Sequence, residues 1–157
     1  MLEYIKIIFL AITCLIILLT LINLKNKSKK GDEWGFLLSS FLLTLFLALI
    51  IEIKPHHIIR TKFSISNLIT YIFYFVLVAI YYLKYIKIIL RFKYFLIIIS
   101  YILFGLANVV DLLSDGQLID FNYNEILEDF FHILGIIFWL LFFIDYSMLL
   151  KRNTNYY

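Results

Sequence analysis

Apolar residues come in five long runs separated by short charged stretches, and inside each run the polar positions are too few to form a solvent-facing stripe. A surface helix of a soluble protein is apolar on one face only. These runs instead approach the roughly 20 apolar residues a helix needs to cross the hydrocarbon core of a bilayer. The pattern predicts an all-α polytopic membrane protein, a bundle of five transmembrane helices with short loops, over residues 5–24, 34–53, 68–83, 94–113 and 130–150 of one integral membrane domain, 1–157.

Local chemistry sets the ends of these runs. Lys6, Thr13, Thr20 and Asn23 are the only polar residues of the first run, and a helix in lipid tolerates them. Asp32 and Glu33 suit the positive N-terminal end of the second helix. Pro55, the single proline, stops that helix because it has no N–H and disfavours helical angles at Lys54. Ser66 or Asn67 can cap the third. After it, Lys84, Lys87 and Arg91 alternate with Ile86, Ile88, Ile89 and Leu90, which predicts an interfacial amphipathic segment or an extension of the third helix. Gly105 and Ala107 are small enough to let a neighbouring helix come close to the fourth.

Composition agrees with the pattern. The chain is 64% hydrophobic and 19% aromatic, against about 45–50% apolar usage in soluble domains. Its one cysteine, Cys14, excludes an intramolecular disulfide and lies among apolar residues. No small residue precedes Cys14 as a lipidation site requires, and no A-x-A-like cleavage site follows the first run, so that run is read as retained. The net charge of +3 comes from bases in short loops rather than on one soluble face, so nucleic acid is excluded as a partner. The bilayer is the expected partner, with another membrane protein or a second copy of the chain beside it.

Those bases set the orientation, because cytoplasmic loops carry the excess of Lys and Arg. One set of alternating segments holds Lys25, Lys27, Lys29, Lys30, Lys84, Lys87, Arg91, Lys93, Lys151 and Arg152; the other holds Lys6, Lys54, Arg60 and Lys62. The expected protein therefore sits in the cell membrane with its N-terminus outside and its C-terminus in the cytoplasm.

In that topology Asn108 and Asp111 end the fourth helix on the outer side, and Glu128, Asp129 and His132 open the fifth on the same side. Spacings of i, i+4 and i, i+3 let His132 face either carboxylate. The set offers oxygen and imidazole ligands for a divalent transition ion. It equally offers acids that complement a helix N-terminus, or a proton sensor at His132. His56 and His57, with Lys54, Arg60 and Lys62, form a basic outer loop expected to pair with the acidic one; a metal site built from both loops is the alternative. Asp145 lies about six residues, ~9 Å of helix, inside Lys151. A carboxylate at hydrocarbon depth needs a partner or a wet path. An ion pair with Lys84 or Lys87 is the structural expectation, and a proton or ion pathway the functional one. Asp145 sits about 220° around the helix from His132, so the two form no single relay line.

No hydrolase, phosphate-loop or redox motif occurs, no catalytic residue is assigned, and no cofactor is expected. The segment Gly105–Trp139, with G-L-x-N-x-x-D-L-L, an acidic loop and ILEDFFHILGIIFW, resembles the last two helices of multi-pass sensor regions that precede histidine kinase or diguanylate cyclase domains. Glu128, Asp129 and Gly135 match the acidic pair and following glycine of such regions. The chain stops at Tyr157 without an output domain, so the resemblance implies a stand-alone sensory or partner-binding module. A small transporter or ion-translocating subunit using Asp145, and a metal-dependent membrane enzyme using Asp111, Asp129 and His132, are the other expectations.

Overall fold

A computed structural model describes residues 2–25, 31–53, 58, 61–62, 67–115 and 124–154. Among the described residues, five long helices make up the fold: α1 (Leu2–Lys25), α2 (Asp32–Ile53), α3 (Asn67–Ile89), α4 (Tyr94–Asp115) and α5 (Asn124–Thr154). The protein is all-α, and each of the five is long and apolar enough to cross a membrane. Leu15, Leu19, Leu42, Leu49, Phe73, Phe75, Ile80 and Phe130 are among the large apolar side chains left on the outside of the bundle. Water would penalise such a surface, and lipid would not.

Two helices run beyond their expected ends. α3 continues through Lys87 to Ile89, so the basic stretch is mostly an extension of that helix, and a turn at 90–93 leads into α4. α5 begins at Asn124 rather than residue 130, with Glu125, Glu128 and Asp129 in its opening turns, where the helix dipole favours acids. Its 31 residues make it about 46 Å long, more than the hydrocarbon thickness of about 30 Å.

The helices close into a ring in chain order, because α1 packs on α2, α2 on α3, α3 on α4, α4 on α5, and α5 back on α1. The α4–α5 contact is the most extensive, and α3 touches its neighbours least. Interhelical bonds reveal the directions. Lys6 meets Asp129 and Thr20 meets Ser147, so α1 and α5 run parallel. Ser39 meets Tyr85 and Tyr71 meets Asp111, so α3 is antiparallel to both α2 and α4.

One end of the ring is filled by aromatic side chains. Phe36 is fully buried with its ring centroid 5.2 Å from Tyr146, 5.5 Å from Tyr85 and 5.9 Å from Tyr81. Phe92 and Tyr146, 4.6 Å apart, and Trp139 and Phe143, 5.2 Å apart, continue the cluster. Four short hydroxyl side chains in the spans are satisfied where they stand: Thr13, Thr20, Ser40 and Thr44 each donate to the carbonyl four residues back. Trp139 donates across the ring to Thr44 at 3.0 Å. In lipid every such group must be satisfied from within the protein.

Candidate functional site

The polar residues expected to meet do so at the end of the ring opposite the aromatic cluster. Asn108, Asp111, Glu128 and His132 line one small pocket of about 30 Å³, together with Lys6, Tyr71, Ile50 and Ile51. Asp129 joins them through Lys6, whose ammonium lies 2.6 Å from the Asp129 carboxylate. Tyr71 donates its hydroxyl hydrogen bond to Asp111. His132 Nδ1 is 3.6 Å from Glu128 Oε1, one turn earlier on α5. Four helices therefore contribute charged or hydroxyl groups to one cluster: α1 through Lys6, α3 through Tyr71, α4 through Asn108 and Asp111, and α5 through its acids and His132.

Lys6 and Tyr71 are the two residues that sequence reasoning missed. A lysine near the start of an apolar run resembles one whose stem lies in lipid and whose head reaches water. Lys6 instead is 3% exposed, its charge held against α5. The available signal was topological, since Lys6 falls on the same side as the acidic loop when loops are assigned by charge. Tyr71 was hidden in the run YIFYF, where aromatic composition masks the ring whose hydroxyl reaches Asp111.

Among the described residues, no group of three or more His, Cys, Asp or Glu is arranged to hold a metal ion. His56 and His57, with Lys54 and Arg60, lie outside the described residues. Lys62 is described and exposed.

Directly beneath the polar cluster lies a second space of about 270 Å³ between α2, α3, α4 and α5. Ile50, Ile51, Asn108 and His132 border both spaces. The rest of its wall is apolar or aromatic, down to Trp139. It exists because α3 packs so lightly on α2 and α4. Gly105 adds to it: a Cβ there would meet no other atom within 4 Å. Of the two small residues expected to admit a neighbour on α4, Gly105 is exposed and Ala107 is fully buried; a close helix approach also occurs at Gly135, whose carbonyl accepts from Ser100 at 2.7 Å.

Asp145 does pair with a lysine, but with Lys93 at 2.6 Å rather than with Lys84 or Lys87. Side-chain direction explains the correction. The inward face of the last turns of α3 carries Tyr81, Tyr85, Ile88 and Ile89 into the core shared with Tyr146, whereas Lys84 and Lys87 are exposed, and the α3–α4 turn brings Lys93 to Asp145. Lys84 lies over the Tyr85 ring at 5.1 Å, and Lys87 is exposed. With Lys93 60% and Asp145 30% exposed, the pair is a peripheral one. Lys93→Ala is therefore expected to change stability by less than about 1 kcal/mol; a thermal unfolding scan in detergent that shows a larger loss would assign the pair a structural role.

No curated protein and no solved structure matches the chain. Residues 4–146, which take in both polar sites from Lys6 to Asp145, match the family model described as "Domain of unknown function (DUF8692)", and the chain belongs to that family.

Proposed function

We propose that the chain is a multi-pass cell-membrane protein with its N-terminus outside and its C-terminus in the cytoplasm, and that it serves as a non-enzymatic sensory or partner-binding module. The observation that carries this reading is the polar cluster, which ties α1 to α5 and α3 to α4 immediately above the space between α2, α3, α4 and α5. A ligand, a proton or a partner that alters the cluster acts on four helices at once. The same α5 that carries Asp129 and His132 ends at Lys151 and Arg152 on the opposite side, so a change in its packing is transmitted across the full thickness. The likeness of the last two helices to sensor regions supports the same role. The competing readings have less behind them: Asp145 lines a separate recess with Arg91, Lys93 and Arg152 and no part of the space beneath the cluster, and the polar pocket itself is only water-sized.

Reporter fusions after Lys30, Lys93 and Tyr157 should be active in the cytoplasm, and those after Lys62 and Gln117 outside. A cytoplasmic signal after Gln117 would overturn the orientation and the outer location of the cluster. In the same cells, His132→Ala should insert at parental levels yet alter cross-linking between copies or to a membrane partner. Unaltered cross-linking across a full panel of cluster variants would remove the sensory and partner-binding role.

A further inference from the structure

We infer that the space between α2, α3, α4 and α5 is a binding site for a flat two-ring molecule with a hydrogen-bond acceptor, the chemistry of a membrane-dissolved naphthoquinone. Six aromatic side chains border it, Phe46, Tyr74, Tyr101, Phe104 and Trp139 along its wall and the exposed Phe75 at its rim. Rings prefer offset or edge contacts with other rings, and a wall of this kind favours a planar guest over a flexible acyl chain. Size points the same way. A cavity of about 150 Å³ accepts one benzene ring, and this one, at about 270 Å³, has room for two fused rings.

The polar requirement comes from Tyr74. It lines the space, is only 9% exposed, and its buried hydroxyl has no hydrogen-bond partner among the described residues. A buried hydroxyl without a partner is costly and calls for an acceptor. Asn108 borders the same space near its polar end and can add an amide donor. The inference rests on the membrane reading above, since such a guest arrives through hydrocarbon, but it does not depend on what signal the protein transmits.

The test uses the full chain in lipid nanodiscs. Of the two tryptophans, Trp34 is removed as Trp34→Phe, which leaves Trp139 to report from the wall of the site. Titration with 1,4-naphthoquinone should quench its fluorescence saturably. Gly105→Leu, whose side chain projects into open space, should abolish the saturable phase without lowering the thermal midpoint. Tyr74→Phe keeps the ring and should weaken binding about three- to tenfold through the lost donor. Quenching that rises linearly in the parent, survives Gly105→Leu, or is displaced equally well by n-decanol overturns the inference. None of those results would disturb the topology, which the fusions test separately.

Discussion

Asp129→Leu is expected to destabilise the folded bundle by about 3–5 kcal/mol, and Lys6→Met by distinctly less. The asymmetry follows from burial. The Lys6 side chain is 4% exposed and the Asp129 side chain 23%, so removing the acid takes from the deeper charge its direct partner and leaves it only the Glu128 and Asp111 carboxylates that border the same pocket, whereas removing the base leaves a carboxylate that can turn toward water. The full penalty is that of a buried charge without its counterion. Lysine has one escape, since its flexible stem lets the ammonium reach for the interface, and doing so would pull the start of α1 away from α5. The double variant Lys6→Met, Asp129→Leu should recover most of the loss, because neither charge then remains to be desolvated. Unfolding of the four proteins in a mixed-micelle denaturant series measures the cycle. Equal losses from the two single variants would mean that both groups are wetter than their geometry indicates.

That pair also marks where the sequence ceased to be sufficient. The number and rough placement of the helices were legible because hydrocarbon imposes a length on any apolar run. The gathering of Asn108, Asp111, Glu128, Asp129 and His132 was legible because both helices end on one side of the same short loop. Which lysine would meet which acid was not. Lys6 and Asp129 are 123 positions apart, and their encounter depends on α5 returning to α1 to close the ring. The packing likewise turned Lys84 and Lys87 outward and gave Asp145 to Lys93. The space between α2, α3, α4 and α5 was invisible for a related reason: it is a deficit of volume among four helices, and no single run of residues encodes it. Small residues misled in a similar way, since both Gly105 and Gly135 permit a close approach, and only the packing decides which one is used.

Gly135 is used, and replacing it should separate Ala from Leu. A Cβ at this position would lie 3.0 Å from two carbons of the Phe104 ring and 3.3 Å from the Ser100 carbonyl oxygen. Phe104 borders the open space, so for Gly135→Ala the ring can swing inward and the backbone need yield only a few tenths of an ångström at Ser100. The expected cost is about 1 kcal/mol, the low end of what overpacking brings. For Gly135→Leu no such relief exists. The longer side chain must push α4 away from α5, lengthening the 2.7 Å bond from Ser100 to the Gly135 carbonyl at the most extensive helix contact in the protein. A loss of about 3 kcal/mol is expected, at the upper end of the same range. Thermal unfolding of both variants in detergent distinguishes them. A further consequence separates this account from simple crowding: because Phe104 moves into the cavity in Gly135→Ala, that variant should stay folded and yet show weaker saturable quenching of Trp139 by naphthoquinone. Normal quenching in a folded Gly135→Ala protein would show that α4 shifts instead of the ring.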